Sequence, residues 1–158
     1  MFREMRRFKQ QISEEECIGI LKAQPRGVLS VSGDDGYPYG FPISYWFNEE
    51  DGHIYFHCAK QGHKIDSINR SDKVSFCVYD EGFRREGEWA LNIKSVIVFG
   101  RIKPVDDSSK VRVIAENLCL KFTSDKAYFE KEFANAGSRV LCLELIPEHI
   151  SGKLVNES

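Results

Sequence analysis

Polar and apolar positions alternate with period two in several parts of the chain. From His53 to Cys58, Ile54, Phe56 and Cys58 fall on one side and His53, Tyr55 and His57 on the other, which predicts a half-buried strand entered through a turn at Gly52. Lys73 to Tyr79 repeats the pattern, with Val74, Phe76 and Val78 set against Ser75, Cys77 and Tyr79. Lys94 to Val105 is the longest strand candidate, and Gly100 inside it marks a bulge or bend. Val28 to Ser32 reads as a short strand, the G-D-D-G at Gly33 to Gly36 as hairpin chemistry, and Tyr37 to Phe47 as an aromatic strand. Pro38 and Pro42 remove ladder donors from that strand, which confines it to an edge, a bulge or a place without a strand neighbour. Arg139 to Ile146 predicts a last strand, ended by Pro147.

Elsewhere the period lengthens to that of a helix. Ser13 and Glu16 form a capping box ahead of Cys17, Ile20 and Leu21, predicting a helix from Ser13 to Ala23 that Pro25 and Gly27 terminate. From Gly62, the spacing of Ile65 and Ile68 fits two helical turns. Asp106 or Asp107 caps a helix with the stripe Val111, Ile114, Ala115, Leu118 and Phe122, and Ser124 caps a shorter one through Tyr128, Phe129 and Phe133. Met1 to Gln11 is a basic, unpatterned arm, and Asp80 to Glu88, which carries Arg84 and Arg85, is the longest interior loop. Most strands follow one another through short turns, so a largely antiparallel sheet is expected. About six strands with flanking helices would either close into a small barrel or stay open under helices on one face. No repeat or linker interrupts the chain, and residues 1–158 read as a single domain.

The 158 residues carry a net charge of −2 with acids and bases intermixed, which argues against a nucleic-acid partner. No stretch approaches the roughly 20 apolar residues that a bilayer demands, so no membrane partner is expected and the reading is a soluble, cytoplasmic protein. Cys17, Cys58, Cys77, Cys119 and Cys142 contain no C-x-x-C pair, and suit free thiols in a reducing compartment. No metal site is expected, because His57 and His63 stand six apart across a loop without any zinc-ligand spacing.

The densest chemistry lies between Asp51 and Arg70, where a strand passes through a glycine loop into a helix start. Such a junction offers unpaired backbone N–H groups and the positive end of a helix dipole, which together favour an anion, phosphate above all. His63 and Lys64 sit in that first turn, where a cation opposes the dipole by roughly 0.3 to 1 kcal/mol. An anion held between Lys64 and the helix end offsets that cost; the plainer alternative is a lysine that points to water.

The run G-H-I-Y-F-H-C-A-K-Q-G-H-K from Gly52 to Lys64 resembles the flavin-binding split barrels related to pyridoxamine 5'-phosphate oxidase, in particular their nitroimidazole resistance (Nim) branch. Weaker carriers are P-I-S-Y at Pro42 to Tyr45, V-S-F from Val74, K-S-V-I-V-F-G from Lys94 and S-G-K at Ser151 to Lys153. The resemblance implies a six-stranded antiparallel Greek-key split barrel that forms a homodimer and holds FMN in two clefts at the subunit interface. It implies that Lys64 grips the phosphate, beside His63 and above His57, Cys58 and Ala59. Ile43, Ser44 and Tyr45 would run along the isoalloxazine through their backbone, with Lys94, Ser95 and Val96 contributing from a neighbouring strand. Cys58 stands where many relatives have Ser, a better hydrogen-bond donor. The Arg- and Trp-bearing carboxy-terminal segment of the authentic oxidases has no counterpart after Arg139, so their reaction is not implied.

Two functions of different class follow. One is an FMN-dependent oxidoreductase acting on a small oxidised or nitro-aromatic molecule, with His57 and His63 as candidate proton donors. The other is a non-catalytic flavin- or haem-handling protein on the same barrel, with His57 or His149 as haem-ligand candidates. Trp46, Trp89, Tyr37, Tyr39 and Tyr45 are aromatic enough to stack on a ligand, although core packing is the commoner role of such residues.

Overall fold

A computed structural model describes every residue from Met1 to Ser158. Helix α1 (Glu14–Ala23) begins as its sequence dictates: Ser13 accepts from the Glu16 amide and the Glu16 side chain returns to the Ser13 amide. There follow β1 (Arg26–Ser32), β2 (Pro38–Ser44), β3 (Trp46–Asn48), β4 (His53–Ala59), α2 (His63–Arg70), β5 (Lys73–Tyr79), β6 (Leu91–Pro104), α3 (Ser108–Leu120), α4 (Lys126–Ala136) and β7 (Val140–Glu157). The strands form one antiparallel sheet in the order β2-β1-β5-β6-β7-β4-β3. The sheet thus has seven strands rather than the expected six.

The extra strand arises where the aromatic segment divides. Tyr37 to Phe47 is not one strand: it breaks at Tyr45 into β2 and β3, which lie at opposite ends of the hydrogen-bonded order. A single residue therefore connects the two edges of the sheet. Consecutive Cα atoms are 3.8 Å apart, so the chain itself draws those edges together and curls the sheet into the split barrel. β2 also comes against β4 across this seam. Both β2 prolines lie on an edge strand, where a missing donor costs no ladder bond on the free side.

Curling places one face inside. Leu29, Val31, Phe41, Ile43, Tyr45, Phe56, Phe76, Val96, Val98, Leu143 and Leu145 fill the interior, and α1 contributes Cys17, Ile20 and Leu21. Phe76 lies at its centre, meeting Tyr45 and Phe56 edge-on with ring centroids 4.9 and 5.2 Å away. A Cβ at Gly152 would strike Cys17 Sγ and Ile12, so only glycine lets α1 approach β7 this closely.

A second cluster lies outside the barrel. Tyr55 and Cys142 pack there against Ile114 and Leu118 of α3. Consequently β4 is not half-buried as its alternation suggests: Ile54, Tyr55 and Phe56 are all buried, two against the interior and Tyr55 beneath α3. The other departures are local. β7 does not stop at Pro147 but continues to Glu157, because Pro147 pairs with Gly100 at the bulge that Gly100 predicts. The cap of α4 is Asp125 rather than Ser124; its carboxylate accepts from the Tyr128 amide. Asp107 rather than Asp106 caps α3, and Phe122 falls beyond that helix, exposed. No helix is long and apolar enough to cross a membrane.

The seam carries two polar groups of opposite consequence. Tyr45 Oη is buried without a partner. Lys121 Nζ donates to the carbonyls of Gln24 (2.6 Å) and Tyr45 (2.8 Å) and lies 3.9 Å from the Tyr45 ring centroid, tying the end of α1 and the β2–β3 crossover to the end of α3. Burial presses the pKa of that amine down to about 8, so it remains mostly protonated at neutral pH. Tyr45→Phe is expected to leave stability unchanged or raise it by about 1 kcal/mol, because it deletes an unsatisfied hydroxyl. Lys121→Ala strands two carbonyls and is expected to cost about 1 to 3 kcal/mol, both effects being read from urea denaturation.

Candidate functional site

Helix α2 differs from the other three α-helices at its start. Ser13, Asp107 and Asp125 cap α1, α3 and α4 with side-chain oxygens, but Gly62 precedes α2 with φ 128° and no side-chain cap. The Gly62 carbonyl accepts from Ile65 and Asp66, which leaves the amides of His63 and Lys64 free of backbone partners. Free amides at a helix start carry the positive end of the dipole.

Lys64 is half-buried at this position, its ammonium 4.7 Å from the centroid of the Phe41 ring on β2. None of the ion pairs formed elsewhere on the surface includes it. Its charge reaches the Cys58 thiol, whose pKa burial raises and Lys64 partly lowers. His63 turns the other way: its ring stacks on Tyr39 at 4.1 Å and its Nε2 lies 3.6 Å from Asp34. Arg70, at the far end of α2, pairs with Asp34 at 2.8 Å and donates to the Ser32 carbonyl. The helix is thereby fastened along the β1–β2 hairpin with Lys64 over β2.

Lys64 lies over Phe41 of β2 and within electrostatic reach of Cys58 on β4. Cys58 and Ala59 close β4, Lys64 lies in the first turn of α2, and Ile43 and Ser44 end β2, whose outer edge pairs with no strand, with Tyr45 in the crossover beyond it. The side chains of Ile43, Tyr45 and Val96 are core, so at those positions only the backbone is presented, and the Tyr45 carbonyl already accepts from Lys121. His57 points outward, away from the interior that Cys58 faces, into an apolar cavity beside α4.

Lys94, Ser95 and Val96 are not on a neighbouring strand. They belong to β6, which β5 and β1 separate from β2 and which β7 separates from β4. Lys94 is ion-paired to Glu16 at 3.1 Å, and Ser95 lines a different cavity of about 560 Å³ under the amino-terminal arm, with Arg3, Ser151 and Lys153. Of the aromatic candidates, Trp46 packs on Tyr55 with centroids 5.4 Å apart, and Trp89 is exposed.

The sequence reading missed a polar cluster on the outer face of β4. Glu144 Oε1 accepts from His53 Nδ1 at 2.8 Å, Tyr55 Oη at 3.0 Å and Lys110 Nζ at 3.1 Å, and Asp51 lies 2.5 Å from the Tyr55 hydroxyl. Its signal was present: Glu144 is the single acid in the apolar run from Val140 to Ile146. Asp51, His53 and Glu144 are close enough together to ligate a metal ion. The Lys110 ammonium already supplies the positive charge, however, so the arrangement is a closed network that fastens α3 to the barrel.

Residues 13–154 match the model of the pyridoxamine 5'-phosphate oxidase family. The chain belongs to this family. No curated protein matches it in sequence. Among solved structures, a candidate 5-nitroimidazole antibiotic resistance protein from Bacteroides thetaiotaomicron superposes with a TM-score of 0.78 at 17% identity, covering 92% of this chain and 87% of that one. A FAD-binding protein from Mesorhizobium loti gives 0.65 at 24% identity, covering 92% and 97%. A FAD- and haem-binding protein from Mycobacterium smegmatis gives 0.66 at 18% identity, covering 94% and 74%. These likenesses establish the split-barrel fold that the family shares.

The Glu144 network sets an acid limit on this family member. Burial pushes the Glu144 carboxyl up, but His53, Lys110 and Tyr55 outweigh it and hold the pKa at about 2, below the ordinary 4.5. A depressed folded-state pKa stabilises the fold above the unfolded value, and that stability is lost as pH falls from about 4.5 towards 2. The contribution is at most about 3 kcal/mol. Stability measured between pH 6 and pH 2.5 is expected to fall in this window, and Glu144→Gln is expected to be less stable at pH 6 and to flatten the slope.

Proposed function

We propose that this chain is an FMN-binding flavoprotein that reduces a small oxidised molecule, a nitro-aromatic compound among the candidates. The observation that carries the reading is Lys64, an ammonium without a carboxylate partner beside the two free amides of an uncapped helix. A terminal phosphate would satisfy all three donors at once, as charge-assisted hydrogen bonds worth more than neutral ones. Ile43 and Ser44, on the free edge of β2 just beyond the Phe41 that Lys64 covers, would present backbone groups to the polar edge of the flavin, and Cys58 and Ala59 would border the phosphate. When bound, the flavin supplies the electron chemistry. The chain's part is to hold it, shield it and deliver a proton. Flavin binding by relatives of the same fold supports the reading.

We infer a homodimer for a separate reason. Val28, Cys77 and Ile97 form a row across the outer faces of β1, β5 and β6, and Tyr79 and Phe99 on the same face are substantially exposed. Apolar surface of this extent suits a second copy. Ser95 lies on this same outer face of β6, two residues from Ile97.

The protein as isolated is expected to be yellow, to release FMN on denaturation by mass spectrometry, and to bleach with a nicotinamide donor. Lys64→Ala is expected to weaken FMN binding roughly 10- to 100-fold. Because Lys64 is only half-buried, the melting temperature of the flavin-free variant should stay close to that of the parent. A Soret band, released FAD, or unchanged FMN affinity in the variant would each contradict a part of this reading: the ligand class, the nucleotide or the phosphate anchor.

A further inference from the structure

The chain's own amino terminus lies across the outer faces of β6 and β7. From Gln11 onward it is pinned: Ile12 donates its amide to the Gly152 carbonyl at 3.0 Å, and Gln11 pairs with Lys153. Residues Met1–Gln10 have no such hold. Their backbone hydrogen bonds, Gln10 to Arg7 and Gln11 to Phe8, stay at the base of the arm. Four bases, Arg3, Arg6, Arg7 and Lys9, stand among these residues, and none of the protein's ion pairs includes one of them.

What fastens the free end is one ring. Phe2 stacks on His149 of β7 with centroids 4.9 Å apart and on Phe99 of β6 at 5.6 Å. Between that anchor and the pin at Ile12 the arm stands off the sheet, over the cavity of about 560 Å³ whose wall includes Ser95, Ile97 and Ser151. Phe2 itself remains 41% exposed. A ring contact of this kind shifts an equilibrium by a factor of about 2 to 10, so the arm opens readily.

Ile97 and Phe99, which the arm overlies, belong to the apolar face on which the homodimer reading seats a second copy. One surface cannot hold both. We propose that residues Met1–Gln10 are a strap that competes with a second copy of this chain for the outer face of β6, so that pairing requires Phe2 to leave Phe99 and His149. The proposal rests on the homodimer inferred above. Released at Phe2 but still held at Ile12, ten residues span about 35 Å, enough to swing clear without disturbing the barrel. Each copy must open its own strap, so the penalty is squared: a closed-to-open ratio of about 2 to 10 weakens dimerisation roughly 10- to 100-fold.

The test compares the full chain with Phe2→Ser by sedimentation equilibrium over a concentration series, with the His149 ring followed by NMR. Phe2 lies outside both apolar clusters, so the variant should keep the fold. Phe2→Ser is expected to dimerise at roughly 10- to 100-fold lower concentration. The His149 ring signals of the two chains, distinct at low concentration, are expected to coincide once both are dimeric. Equal dimer affinity, weaker dimerisation of the variant, or His149 signals that stay distinct in the dimer would overturn the strap and leave the homodimer standing. Two chains that remain monomeric at every concentration would overturn the homodimer itself, and the strap with it.

Discussion

The structure depends on one covalent constraint: Tyr45 is the only residue between a strand at one edge of the sheet and a strand at the other. An open seven-stranded sheet would hold those edges tens of ångströms apart, since neighbouring strands are spaced by about 4.8 Å. The chain permits only a few. The sheet must curl, which creates an interior for Phe56 and Phe76 and shields edges that would otherwise invite pairing with other chains. The crossover has its own cost, a buried phenol without a partner, and the Lys121 ammonium compensates nearby by satisfying carbonyls that the turn and the end of α1 leave over.

Once the seam is closed, the helices divide the remaining tasks. α1 packs into the barrel through Cys17, Ile20 and Leu21. α3 covers the outer face of β4, where Tyr55, His53 and Lys110 converge on Glu144. α2 lies over the β1–β2 hairpin and is the one whose first amides meet no side chain. The contrast between Glu144 and Lys64 separates structure from function: the former is a buried charge with its donors already in place, the latter a cation with an aromatic ring beneath it and no carboxylate beside it. Groups already satisfied within the protein have little left to offer a ligand.

Much of this was legible in the sequence because it is local. The capping box at Ser13, the alternation from Lys73 to Tyr79 and the bulge at Gly100 depend on residues within a few positions of one another. The strand, glycine loop and helix from His53 to Arg70 likewise needed no distant partner. The break at Tyr45 could not be read, since the aromatic pattern runs through it unchanged and only the opposite destinations of β2 and β3 divide it. Nor could the separation of Lys94–Val96 from the seam, which is a matter of strand order rather than of pattern. Glu144 was visible as an odd acid in an apolar run, but its partners Asp51, His53 and Lys110 come from distant parts of the chain. A proline usually ends a strand, and Pro147 does not because the bulge opposite Gly100 absorbs it.

The claim on which the functional reading rests is that the start of α2 is an anion site. Titrating the isotope-labelled protein with inorganic phosphate and following backbone amides tests it without reference to any cofactor. Saturable shifts at His63 and Lys64, absent at the side-chain-capped starts of α1, α3 and α4 and lost in Lys64→Ala, are the result this account predicts. Amides of α2 that do not respond, or that respond no more than those of the capped helices, would contradict it.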